Sequence, residues 1–169
     1  EGKEKGTFLS YTFLVTGDNV EVENITIRND AGQREDSGQC IALFVDGDDF
    51  LCEGCTLVST QDTLFLGPLP SDLIGRYEGF LRDELRRYAR MHQSFRNCCI
   101  EGTVDFIFGC ADALFDRCEI RNVYDVRQVG YVAAPAHALE QEEGFLFHHC
   151  RFTSDERVKR HSIYLARPW

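Results

Sequence analysis

Apolar and polar positions repeat one short template at five places along the chain. The template is an apolar residue, two variable positions, a Cys or Ile, one variable position, then an apolar residue. It runs Val22–Ile25–Ile27, Cys52–Cys55–Leu57, Phe95–Cys98–Ile100, Phe115–Cys118–Ile120 and Phe147–Cys150–Phe152, at intervals of 30, 43, 20 and 32 residues. Each segment is short, alternates with a period of two near its end and is bounded by Gly, Asn or Asp. That pattern predicts strands rather than helices. Strands recurring at such intervals predict a solenoid, because no single coil buries its apolar face alone. The expected fold is therefore all-β, a β-helix, with Cys55, Cys98, Cys118 and Cys150 at one equivalent position and stacked inside.

One stretch departs from the template. Residues 67–93 (GPLPSDLIGRYEGFLRDELRRYARMHQ) carry turn signals and then Leu81, Leu85 and Tyr88 at helical spacing. They predict an inserted loop with a short amphipathic helix.

Composition narrows this picture. A chain of 169 residues suits a single domain, 1–169. It opens on Glu1 without a basic-then-apolar leader and stops at Trp169, so it is expected to be a piece of a longer protein, incomplete at both ends. Thirteen Phe and six Tyr against one Trp and one Met favour sheet over helix bundle. A net charge of −10 argues against nucleic acid as a partner, and no run nears the roughly eighteen apolar residues of a membrane helix. An acidic chain should tolerate a neutral polymer better than a polyanion. For the eight cysteines, packing as small hydrophobes is the favoured use, with disulfides or a metal site as alternatives. Zinc-ligand spacing is not evident: Cys52 and Cys55 stand alone and Cys98–Cys99 are adjacent.

Four segments set polar groups among residues that otherwise read as buried strand: GQCIALFVDGD (38–48), STQDTLFLG (59–67), EGTVDFIFG (101–109) and LARPW (165–169). A carboxylate in the company of Thr63–Leu64–Phe65, or of Val104 and Phe106–Ile107–Phe108, must be paired, hydrogen-bonded or functional. Singly, each has a structural explanation: Asp62 or Asp105 capping a strand end, Gln39 and Gln61 forming an amide ladder, Arg167 in an ion pair, Trp169 plugging a core. Together they describe more. Equivalent positions on neighbouring coils lie about 4.8 Å apart, so two carboxylates on adjacent coils, with two amides and a guanidinium nearby, form a hydrolytic constellation.

The segments GQCIAL, QDTLF, GTVDFIFG and ARPW, in this order, resemble those of the pectin methylesterases (pectinesterases), and GTFLSYTFLVTGDNVEVENITIRNDAG resembles that family's entry into the same region. The resemblance spans nearly the whole chain and implies a right-handed parallel β-helix. It further implies removal of methyl groups from galacturonate esters of pectin without metal or organic cofactor. By it, Asp105 matches the nucleophile, Asp62 the general acid and base, and Gln61 the amide that stabilises the transition state. Gln39, Thr7, Arg167 and Trp169 match substrate-binding positions, with Val104 and Phe108 flanking the sugar. It also implies pectin as the partner, a monomeric enzyme with no membrane association, and an extracellular or cell-envelope location, since that is where pectin is found. Departures are Ala166 where Gly is usual and His92–Gln93 where Arg–Gln is common. The 43 positions between Asp62 and Asp105 exceed the plant spacing and resemble loop-bearing bacterial members. Arg76, Arg82, Arg86, Arg87 and Arg90 are expected to overhang the cleft and meet free carboxylates of the polymer, or else to be neutralised by Asp72, Glu78, Asp83 and Glu84. Alternatives on the same scaffold are a polygalacturonase or pectate-lyase-like enzyme and a non-catalytic polysaccharide-binding β-helix. Paired amides suit an acyl oxyanion better than glycoside cleavage.

Overall fold

The structure, a computed structural model, describes residues 6–31, 38–69 and 90–169. Each template segment folds as two short strands meeting at one left-handed residue. Asn24, Asn97, Arg117 and His149 have φ between 52° and 54°, Gly54 has 63°, and each stands immediately before the Cys or Ile of its template. A single left-handed residue breaks the pleat, so the flanking strands enter different sheets. Asn and Gly adopt it most readily. At Gly54 a Cβ would also lie 2.5 Å from Asn24 Oδ1, so a side chain here would have to displace that amide.

The described residues form five full coils. The first holds β1 (Phe13–Val15), β2 (Glu21–Glu23) and β3 (Thr26–Arg28); the second β4 (Leu43–Val45), β5 (Phe50–Glu53) and β6 (Thr56–Val58). The third holds β7 (Leu64–Leu66), β8 (His92–Arg96) and β9 (Cys99–Gly102), and the fourth β10 (Val104–Gly109), β11 (Asp112–Asp116) and β12 (Glu119–Asn122). The fifth holds β13 (Gly130–Pro135), β14 (Phe145–His148) and β15 (Arg151–Ser154), and β16 (Ile163–Ala166) begins another turn. Three parallel sheets stack these coils in order: β1-β4-β7-β10-β13-β16, β2-β5-β8-β11-β14 and β3-β6-β9-β12-β15. The architecture is a right-handed parallel β-helix, the hand that parallel crossovers take.

The register matches the sequence template. Val22, Cys52, Phe95, Phe115 and Phe147 pair in succession, as do Ile27, Leu57, Ile100, Ile120 and Phe152. Between these rows the thiols form a ladder. Cys55 donates to the Val22 carbonyl (3.5 Å), Cys98 to that of Cys52 (3.4 Å), Cys118 to that of Phe95 (3.3 Å) and Cys150 to that of Phe115 (3.2 Å). All eight cysteines are free thiols. Cys55, Cys98 and Cys118 are buried; Cys150 is only half-buried because its coil ends the second and third sheets.

First-sheet strands are apolar on both faces, which is why they read as continuous runs. Leu43, Val45, Leu64, Leu66 and Ile107 fill the coil interior. Phe44, Phe65 and Phe108 point outward into a second apolar layer that Phe8, Leu69 and Trp169 cover. A 3₁₀ turn, Thr7–Leu9, sets Phe8 edge-on to Phe65 at 5.4 Å. Gly109, at φ 125°, closes β10 where a Cβ would stand 2.1 Å from the Leu66 carbonyl oxygen. The inserted loop leaves after β7 and returns at β8. His92 and Gln93, expected at its end, already belong to β8, and Gln93 is buried with its amide on the carbonyls of Val45, Gly47 and Gly67. The expected short helix falls within 70–89, outside the described residues.

Candidate active site

The QDTL and VDFIFG segments are brought side by side by the coil repeat. Asp62 immediately precedes the Thr63–Leu64 entry to β7, and its backbone N–H donates to the Val104 carbonyl at 3.2 Å, beside the start of β10. Both aspartates are left-handed, φ 66° at Asp62 and 50° at Asp105. For residues other than glycine, a sparsely populated conformation of this kind costs on the order of 1–3 kcal/mol and gathers at functional sites. The β10–β13 register also shifts between Val104 and Ile107. This irregularity lets Phe106 and Ile107 both reach the core, and it takes Asp105 out of the regular alternation.

Arg167 reaches Asp105 from β16's end, two coils away. Its Nε donates to Oδ1 at 2.8 Å and its Nη2 to Oδ2 at 2.5 Å, a two-pronged pair. The guanidinium also lies over the Tyr131 ring, 4.3 Å from its centroid. Asp62 has a different environment. It is 3% exposed, and burial first, then the charge of Asp105, push its carboxyl well above the usual range, with Arg167 and Arg127 pulling the other way. Two neighbouring carboxylates are thus set in unlike surroundings, one paired with a cation and one desolvated.

Both aspartates line a pocket of about 70 Å³, together with Thr7, Gln39, Phe108 and Trp169. Phe8 and Ala134 complete its wall. Trp169 stands edge-on to Phe108 at 5.5 Å, so it both covers the outer apolar layer and faces the pocket. Val104 is different: at 3% exposure it is buried and does not line the pocket, and its carbonyl holds the Asp62 backbone instead.

Gln39 and Gln61 are bridge partners on adjacent coils. The Gln39 side-chain oxygen accepts the Thr7 hydroxyl, and that of Gln61 accepts Arg127 Nη1 at 2.9 Å. Each amide oxygen is engaged, which leaves the NH₂ of each to offer. No local signal in the sequence marks Arg127 or its carboxylate partner Asp125 as part of the site. The local Asp-x-Arg turn was legible; the contact with Gln61, 66 residues away, was not. Tyr131 beneath Arg167 was likewise unmarked.

Three groups of acids and histidines close enough to share a cation occur among the described residues, Asp48–Asp49–His92, His92–Asp112–Glu143 and Asp116–His148–His149, none of them in the pocket. Arg90 pairs with Asp112 and with Glu143 (2.9 Å) on the second-sheet side. It therefore does not overhang the cleft as expected, because the acids it pairs with, Asp112 on β11 and Glu143 in the loop before β14, are away from the pocket. Arg76, Arg82, Arg86 and Arg87 lie outside the described residues.

The family model described as Pectinesterase matches residues 1–68 and 77–169. The chain belongs to the pectinesterase family. The break in the pectinesterase match falls at the inserted loop. A probable pectinesterase/pectinesterase inhibitor of Arabidopsis thaliana is 33% identical over 94% of this chain and 28% of its own length. A pectinesterase of Ralstonia solanacearum is 31% identical over 95% of this chain and 38% of its own. The chain thus spans well under half of these curated relatives. Among solved structures, the rice weevil pectin methyl esterase superposes with TM-score 0.80 at 27% identity, over 97% of this chain and 40% of that one. A pectin methylesterase in complex with a hexasaccharide gives 0.78 at 29%, over 99% and 48%.

Proposed function

We propose that this chain carries the catalytic centre of a carboxylic ester hydrolase that removes methyl groups from the galacturonate esters of pectin. The observation that carries this is the pairing of unlike carboxylates in one pocket: Asp105 held by Arg167, and Asp62 buried with a raised pKa. Family membership and the saccharide complex of a structural relative support the substrate class.

In this reading Asp105 is the nucleophile. One carboxylate oxygen attacks the ester carbonyl carbon, and the carbonyl electron pair moves onto its oxygen. The NH₂ of Gln61, with that of Gln39 beside it, donates to this oxyanion; one such donor is worth roughly 2.7–4 kcal/mol. The tetrahedral intermediate collapses, the bond to methoxide breaks, and protonated Asp62 gives its proton to form methanol. Asp62, now a carboxylate, takes a proton from water as the water attacks the acyl-enzyme anhydride. Cleavage frees the galacturonate and Asp105. Arg167 holds Asp105 in place by its two hydrogen bonds. Thr7 fixes Gln39, and Phe108 and Trp169 supply an apolar wall for a sugar face. Every step uses side chains of this chain. The working enzyme is read as a monomer acting on pectin, outside the cell or at its envelope, because the polymer is there; no described helix is long and apolar enough to cross a membrane.

Methanol release by the full-length protein tests this. Asp105→Asn, nearly isosteric but unable to attack as an anion, is expected to retain less than a few per cent of the parent rate with its fold intact. New reducing ends or unsaturated products in place of methanol would point to glycoside hydrolysis or lyase chemistry. Pectin binding without any turnover would leave only a binding module.

A further inference from the structure

A glutamine amide stabilises an oxyanion only from its nitrogen side. Turned over, it presents a carbonyl oxygen to a developing negative charge. The two faces are nearly identical in shape, so packing alone does not choose between them. What chooses at Gln61 is Arg127. Its Nη1 lies 2.9 Å from Gln61 Oε1, and a guanidinium has no acceptor, so the flipped amide would set donors against donors.

Arg127 is itself held firmly. Its Nε and Nη2 donate to the two carboxylate oxygens of Asp125 at 2.8 and 2.7 Å, and its backbone N–H donates to Asp125 Oδ1 at 2.8 Å. The fork engages one edge of the guanidinium and leaves Nη1 for Gln61. The same Asp-x-Arg unit recurs at Asp155–Arg157, with matching bonds of 3.1, 2.9 and 2.9 Å. There the guanidinium lies over the Tyr124 ring, 5.0 Å away. The unit alone is therefore turn structure. Of these two units, only that of Arg127 reaches the amide of Gln61, the residue next to Asp62. Arg127 is also close enough to Asp62 and Asp105 to act on them by charge.

We propose that Arg127, clamped by Asp125, is a positioning residue that locks the Gln61 amide with its N–H groups free for the oxyanion. This rests on the ester-hydrolase reading above. Arg127 does not touch the ester; it acts through Gln61.

The test is a double-mutant cycle in the full-length protein, reading methanol release from methylated pectin. Arg127→Ala is expected to lower kcat about 10- to 100-fold, below the roughly 10²–10³-fold of deleting an oxyanion donor outright, with KM changed less than about twofold. In a Gln61→Ala background, the same substitution is expected to lower kcat by less than about threefold, because the group it positions is gone. Asp125→Asn should show the same kcat loss in smaller degree, and Arg127→Lys, which keeps the charge without the fork, should recover only part of it. Should Arg127→Ala not fold, Arg127→Lys with and without Gln61→Ala completes the cycle. An equal loss in both backgrounds overturns the proposal, as does parent-like kcat in Arg127→Ala. Parent protein that releases no methanol, or an Asp105→Asn variant that still does, would instead overturn the underlying reading.

Discussion

At the scale of single residues, the site depends on carboxylates that burial and pairing treat unequally. Asp62 is the buried member, and desolvation makes its folded form bind a proton more tightly than the unfolded chain does. The stability this group contributes is fully present below the unfolded value of about 3.9 and is lost as pH rises through the raised folded value. Asp62→Asn removes that loss, since Asn does not ionise and tolerates the same left-handed backbone. The variant is expected to match the parent in denaturant midpoint near pH 4 and to exceed it increasingly above, by at most about 1.4 kcal/mol per pH unit, the limit for one proton. It should also be severely impaired in methanol release. A difference that stays flat with pH would show that Asp62 carries no displaced proton and would remove it from the acid role.

At the scale of the elements, the bend between the second and third sheets is the repeating unit. Its left-handed residue is Asn, Gly, Asn, Arg and His on successive coils, so the geometry is imposed by stacking rather than by one residue type. The positions differ in what they tolerate. Gly54→Ala is expected to lose roughly 1–2 kcal/mol from the backbone conformation, and somewhat more because its Cβ would meet Asn24 Oδ1. Arg117→Gly should be near neutral, since relief of the left-handed backbone offsets the added freedom of the unfolded chain, about 0.5–1 kcal/mol. Denaturant midpoints of the two variants check this; equal losses at both positions would mean that side-chain packing, not the bend, sets their stability.

At the scale of the whole molecule, 18 basic against 28 acidic residues give a charge of −10. Methylated pectin is uncharged at its esters, and each turnover of the proposed reaction would leave a carboxylate. Repulsion should therefore grow as the reaction proceeds. Initial rates on partly de-esterified pectin are expected to fall below those on fully methylated pectin at low salt, chiefly through KM, and the gap should narrow between about 0.01 M and 0.15 M salt as the Debye length shortens from about 30 to 8 Å. A gap insensitive to salt would assign the discrimination to contacts inside the pocket.

The chain's own pattern determined the coil. Each short strand pair repeats its apolar positions locally, so template, register and the thiol row could be read without coordinates. Asp62, Asp105, Gln39, Gln61 and Arg167 stood out for a similar reason, as polar groups inside runs that otherwise demand burial. The tertiary structure decided what distant turns supply. Arg127 sits in a turn that looks like any solvated Asp-x-Arg pair, and only the stacking of coils carries its guanidinium to Gln61. Tyr131 comes under Arg167, and Arg90 turns to Asp112, by the same stacking. Val104, apolar beside the proposed nucleophile, reads equally as sugar contact or core, and the register at β10 places it inside. A period along one strand reports which face a residue takes; its partner on another coil depends on the lengths of the turns between, and those carry no periodic signal.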